Sequence, residues 1–154
     1  MAISSNIEAL FGLSGRIAVV TGAGSGLGRE IARVLDAAGA RVAIVDLDDE
    51  GMKQTAELMC NAALTYHVDI SSRDEVESLA SQVTANTGRL DIWVNCAGLG
   101  YIHPLLEADP ETAARVVAVN MMGTYWCCTA AGRAMSPLGG GSIVNIASMS
   151  GIIA

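Results

Sequence analysis

Residues 21–28 read Thr-Gly-Ala-Gly-Ser-Gly-Leu-Gly, a pattern that can hold a pyrophosphate without any basic side chain. An apolar run, residues 16–21 (RIAVVT), precedes it, and a segment of helical period from Leu27 to Ala38 follows, closed by Gly39. At such a strand-to-helix junction Gly22 permits a tight turn and Gly26 lets backbone come close to a phosphate. Gly28 lets the helix pack against the strand. The free N–H groups and positive dipole end of the helix then face the anion. No Gly-Lys-Ser/Thr occurs here, which excludes a P-loop. The plainer alternative is a glycine-rich turn with no ligand.

Asp46 ends the next apolar run, residues 41–46 (RVAIVD), 18 residues beyond Gly28. A carboxylate there accepts hydrogen bonds from the ribose hydroxyls of NAD and repels the 2′-phosphate of NADP. Neither Ser25 nor Leu47 offers a cation to that phosphate. The expected cofactor is NAD. It would be held by Thr21, Gly22, Ser25, Gly26, Leu27 and Gly28 in the loop, and by Asp46 and Leu47 after the second strand. A solvated aspartate beside Asp48, Asp49 and Glu50 is the competing reading. No metal site is expected: Cys60, Cys96, Cys127 and Cys128 lack C-x-x-C spacing, and His67 and His103 stand far apart. The thiols read as buried and reduced. His103 falls after the fourth strand, on the carboxyl side where ligands bind in such sheets. An exposed loop histidine is the simpler reading there.

The elements that position these residues alternate strand and helix. Strands are expected at 16–21, 41–46, 64–69, 91–95 and 142–147. Helices are expected at Leu27 to Ala38, at Asp48 to Asn61, from a Ser71 or Ser72 cap to Gly88, and from Asp109-Pro110 to about Met135. Val76, Leu79 and Val83 mark the inner face of the third helix. The near-continuous apolar strands imply a parallel sheet covered on both faces, a doubly wound α/β fold. With 154 residues, a single domain spans 1–154.

A net charge of -7 argues against nucleic acid and anionic membranes as partners. No run of about 18 uncharged apolar residues suggests a membrane span, and Val116 to Ala131 reads as a buried helix. Met1 to Leu13 has no basic region of the kind that opens a signal peptide, so the cytoplasm is the expected location.

The spacing Thr-Gly-x-x-x-Gly-x-Gly at 21–28 resembles the short-chain dehydrogenase/reductase family. Further matches follow in order: Asp69-Ile70, Asn95-Cys96-Ala97-Gly98, Asn120 within Val119-Asn120-Met121-Met122-Gly123, and Ser148 after Ile143-Val144-Asn145-Ile146-Ala147. The resemblance implies a Rossmann-type sheet, with Asp69 and Ile70 at the adenine ring. Asn95 would stabilise the sheet, and the Ala97-Gly98 backbone would lie along the cofactor. It implies two catalytic residues. Asn120 would sit in a helix distortion that holds a relay water, and Ser148 would hydrogen-bond the substrate oxygen. Read without the family, Asp69 can cap a turn, Asn95 can end a strand, Asn120 is a buried amide needing partners, and Ser148 is a loop serine. Cys96 departs from the family's Asn-Asn-Ala-Gly.

The family also supplies a Tyr-x-x-x-Lys pair, in which the Lys lowers the Tyr pKa from about 10. Here the tyrosines are Tyr66, Tyr101 and Tyr125, and the single lysine is Lys53. The chain is therefore expected to be the N-terminal part of a protein of about 250 residues, five strands and four helices with the C-terminal strands and helices missing. The parent would be an NAD-dependent oxidoreductase acting on a small alcohol or ketone, assembled as a homodimer or homotetramer. A non-enzymatic dinucleotide-binding module or an inactive fragment remains the alternative for the chain as written.

Overall fold

The computed structural model describes residue 8, residues 10–100 and residues 102–148. Residues 1–7 and 9 of the stretch read against a signal peptide, Tyr101, and everything after Ser148 lie outside the described residues.

Runs of β-branched and small apolar residues form β1 (Ile17–Thr21), β2 (Arg41–Asp46), β3 (Leu64–His67), β4 (Ile92–Asn95) and β5 (Ser142–Asn145). All pair in parallel, in the order β3-β2-β1-β4-β5, giving a Rossmann-like sheet whose winding reverses between β1 and β4. Side chains alternate across the sheet. Ala18, Val20, Val42, Ile44 and Val94 meet α1 (Gly26–Ala37) and α2 (Asp49–Glu57) through Ala32 and Met52. Ile17, Val19, Val45 and Trp93 form the opposite core. There they meet Val76, Leu79 and Val83 of α3 (Arg73–Thr87) and the fourth helix.

The helix starts follow the capping residues. Asp48 accepts from Gly51 N at 3.0 Å, Ser72 from Glu75 N at 3.4 Å and Asp109 from Thr112 N at 2.7 Å, with Pro110 in the first turn. The fourth helix is continuous but not regular. It runs as α4 (Pro110–Val117), a π turn over Ala118–Gly123, and α5 (Thr124–Met135). No helix of the described residues is long and apolar enough to cross a membrane.

Several expectations need correction. The second helix stops at Glu57 rather than Asn61. The buried Asp36 carboxylate takes Cys60 N at 2.5 Å and Asn61 Nδ2 at 2.8 Å, which pulls those residues out of the helix. β3 and β5 each end two residues early: Val68 N and Ile146 N still donate to Asp46 O and Asn95 O, and the pairing stops there. The segment Val116 to Ala131 is not buried all round. Cys127, Ala130 and Ala131 face the core, while Val117, Met121 and Tyr125 are exposed. Of the thiols, Cys127 is buried and pushed up to about 12, by burial above all, whereas Cys60 is exposed.

At the amino ends of the strands, Asp91 fastens the sheet. Its carboxylate takes Arg89 Nε at 2.8 Å, Ile17 N at 2.9 Å and Arg16 Nη1 at 2.7 Å. Burial pushes this carboxyl up, but the Arg89, Ile17 and Arg16 donors outweigh it and hold it at about 2, against an ordinary 3.8. A group depressed in this way stabilises the fold fully above its unfolded pKa, and that stabilisation fades as the pH falls through the window from 3.8 to about 2. Asp91→Asn is expected to lower unfolding free energy at pH 7 by about 2 kcal/mol. Urea titrations at several pH values check this: the gap between variant and wild type should narrow steadily below pH 4.

Candidate functional site

The carboxyl ends of the strands open into a cleft of about 400 Å³ at the point where the winding reverses. Its floor is the turn after β1. A Cβ on Gly22, whose φ is +69°, would stand 2.7 Å from Ala97 N and Cα, so only glycine lets the two strand exits pass so closely. A Cβ on Gly28 would overlap the Gly22 carbonyl, which fixes how near α1 lies to the turn. Ser25 precedes α1 with no side-chain capping bond, and the first-turn N–H groups of α1 have no intrahelical acceptors. This is a cradle for an anion.

Asp46 stands at the end of β2 and binds the loop itself. Oδ2 accepts from Gly24 N at 2.8 Å, and Oδ1 from Leu47 N at 2.8 Å and Asp48 N at 3.1 Å. Gly22, Ser25, Gly26, Leu27, Gly28, Asp46 and Leu47 all line the cleft, as do Asp69, Ile70, Ala97 and Gly98. Thr21 and Asn95 lie behind it. The buried Thr21 hydroxyl accepts from Cys96 N and Ala97 N, both at 3.2 Å, so it holds the β4 exit in place. The buried Asn95 amide donates to Asn145 Oδ1 at 2.8 Å and accepts from Trp93 Nε1 at 2.9 Å, tying β4 to β5.

Asn120 lies in the π turn and is exposed, not buried as its position in an apolar helix suggests. It nevertheless has partners. Its Oδ1 accepts from Leu99 N and its Nδ2 donates to Leu99 O, each at 2.8 Å, so the amide clamps the loop after β4 to the helix. Ser148 is exposed three residues beyond β5, and His103 is exposed on the loop after β4.

Two arginines escaped the sequence reading. Arg29 donates through Nε to Thr55 Oγ1 at 3.0 Å and through Nη2 to Gly24 O, and Thr55 Oγ1 donates to Ala23 O at 2.8 Å. Together they brace the turn, Arg29 from α1 and Thr55 from α2. Arg115 lines the cleft from α4 and pairs with Asp69 at 2.7 Å. Burial pushes the Asp69 carboxyl up, but the Ser71 hydroxyl and Arg115 hold it below the ordinary carboxylate range. The only local hint was a pair of positive charges on otherwise unremarked helical turns; apart from the Gly24 carbonyl, their partners are distant in sequence.

Residues 16–154 match the family model for short chain dehydrogenase. The chain is 40% identical over 145 residues to galactitol 2-dehydrogenase (L-tagatose-forming) of Cereibacter sphaeroides, covering 94% of this chain and 57% of that protein. It is 38% identical over 147 residues to D-threitol dehydrogenase of Mycolicibacterium smegmatis, covering 94% and 56%. The crystal structure of a short-chain type dehydrogenase/reductase from Mycobacterium marinum superposes with a TM-score of 0.91 at 34% identity, over 96% of this chain and 61% of that one. The chain thus spans a little over half the length of these relatives.

The geometry of the turn makes Gly22→Ala and Gly28→Ala costly, at least ~2 kcal/mol each. Ser25→Ala, at an exposed position with no capping bond to lose, should cost less than ~0.5 kcal/mol. Thermal denaturation of the three variants side by side checks the contrast.

Proposed function

The chain belongs to the short-chain dehydrogenase family, and from that premise we propose that it is the nucleotide-binding domain of an NAD-dependent oxidoreductase. The reaction is hydride transfer between the nicotinamide and an alcohol or ketone. The observation that carries the choice of cofactor is Asp46. Three backbone N–H groups fix its carboxylate at the rim of the cleft, and two oxygens with about four lone-pair sites leave room for a ribose hydroxyl. Asp48, Asp49 and Glu50 follow it, so a 2′-phosphate would meet like charge.

The cradle fits this group. The N–H groups of Gly26, Leu27 and Gly28 stand where the pyrophosphate would lie, and the missing Cβ atoms of Gly22 and Gly28 keep the turn tight. Asp69 and Ile70 serve the adenine end, and the Ala97-Gly98 backbone runs along the cleft wall. When bound, NAD supplies the hydride acceptor. In this reading Ser148 donates a hydrogen bond to the substrate oxygen, and Asn120 holds the Leu99 loop against the helix. No lysine follows Tyr66, Tyr101 or Tyr125 at the fourth position, so none of the three is assigned as the general base. Two relatives named for polyols make galactitol and D-threitol the first substrates to try. The reading keeps the cytoplasm as location and a homodimer or homotetramer as assembly. The exposed Val117, Met121 and Tyr125, one turn apart along the fourth helix, offer a surface for the latter.

Titration with NAD and NADP tests the cofactor. NAD should bind at least about tenfold tighter; equal affinity, or a preference for NADP, would overturn the assignment of Asp46. Ser148→Ala should lower kcat/KM by about 100-fold with NAD affinity unchanged. An unaltered kcat/KM removes Ser148 from the chemistry.

A further inference from the structure

Arg115 lines the cleft, yet nothing in the proposed hydride transfer uses it. Its two terminal nitrogens do different things. Nη2 donates to Asp69 Oδ2 at 2.7 Å and Nη1 donates to Ser71 Oγ at 2.6 Å. The Ser71 hydroxyl in turn donates to Asp69 Oδ1 at 2.7 Å, and Ser71 N donates to the same oxygen at 2.9 Å. Asp69, Ser71 and Arg115 thus close a ring of hydrogen bonds between the loop after β3 and α4. Turning the Asp69 carboxylate would break bonds at both oxygens. Asp69 N is itself held by Glu75 Oε2 at 2.9 Å, so backbone and side chain are both fixed. Val68, Ile70 and Val119 line the same stretch of cleft and give a flat ring apolar surface to lie against.

We propose that Arg115 is a positioning residue: it fixes Asp69 Oδ2 so that its remaining lone pair reads the 6-amino group of a purine, and thereby sets a preference for an adenine over a hypoxanthine dinucleotide. The inference rests on the reading that the cleft binds a dinucleotide with its base at Asp69. The chemistry is a matter of donors and acceptors. An ionised carboxylate only accepts, so it attracts the amino group of adenine and repels the oxo group of hypoxanthine at the same place. The discrimination survives only if the oxygen stays put. Asp69 is partly open to water, and without the guanidinium its Oδ2 would swing to solvent. Attraction between Arg115 and the pyrophosphate is the same for both dinucleotides and cancels from their ratio.

The test measures binding and steady-state kinetics of the full-length protein with NAD and with nicotinamide hypoxanthine dinucleotide. Wild type should favour NAD by about tenfold or more. Arg115→Met should bring the ratio to within about threefold, chiefly by raising the Kd and KM for NAD while kcat holds. Arg115→Lys keeps the charge but not the two-pronged contact, and its ratio should stay near that of the Met variant. α4 buries no residue and the Arg115–Asp69 pair is partly exposed, so these variants should stay folded and melt within a few degrees of wild type. Ser71→Ala opens the same ring from its other side and should lower the ratio in the same direction by a smaller factor. Equal weakening of both dinucleotides, a wild-type ratio near one, or full rescue by Lys overturns the proposal. So does an unchanged ratio in both the Ser71 and the Arg115 variants. Failure of wild type to bind either dinucleotide is a different result: it overturns the cofactor assignment itself, and this inference with it.

Discussion

The exits of β1 and β4 run past each other with no room for a side chain between them, and the carboxyl end of the sheet is arranged around that approach. Gly22 turns against the backbone of Ala97, and the Thr21 hydroxyl one residue earlier accepts from the N–H groups of Cys96 and Ala97. Neither interaction is strong alone. Together they decide where the floor of the cleft lies, and therefore where α1 begins and how far the Leu99 loop stands from it. A larger residue at either exit would separate the strands at the point where the winding reverses, and the cleft would lose its floor.

Around that junction the molecule uses charged and polar ties between elements distant in sequence. Arg29 from α1 and Thr55 from α2 hold the turn, Asp36 holds the end of α2, and Arg115 holds the loop after β3. At the opposite end of the sheet Asp91 draws together Arg16, Arg89 and the start of β1. Each tie satisfies polar groups that the sheet leaves partly desolvated, and each fixes an angle that apolar packing alone leaves soft. The result is a rim of defined shape on a core built largely of Ala, Val and Ile side chains together with the fully buried Trp93.

The glycine turn and Asp46 were legible in the sequence because their signal is local: a strand, a turn and a helix start within a few residues, and a carboxylate at the next strand end. The caps at Asp109 and at Ser72, the latter weighed against Ser71, were legible for the same reason, whereas Asp48, read as the first helical residue, is the cap instead. Arg29, Arg115 and Asp36 were not, because a surface arginine and one bound to a distant carbonyl look the same in one dimension. The parallel, doubly wound sheet was legible in the alternation of strands and helices, but the strand order was not read from it, and β3 and β5 were drawn two residues too long. Asn120 shows the limit in both directions. Its poor fit to a helix flagged the position, but the inference that it must be buried was wrong, because the loop after β4 came to meet it at the surface.

The π turn at Ala118–Gly123 has a consequence for heredity as well as for shape. It holds one residue more than a regular turn, so everything after it is rotated by about 100° relative to an uninterrupted helix. Cys127, Ala130, Ala131 and Met135 face the core because the wide turn absorbs that extra residue. A single-codon deletion within 118–123 would let the helix close into regular α geometry and leave the buried stripe of α5 facing the core. An insertion there, or a change that straightened the turn without shortening it, would swing that stripe by about 100° toward water. In this segment the chain thus tolerates the loss of a codon better than the gain of one.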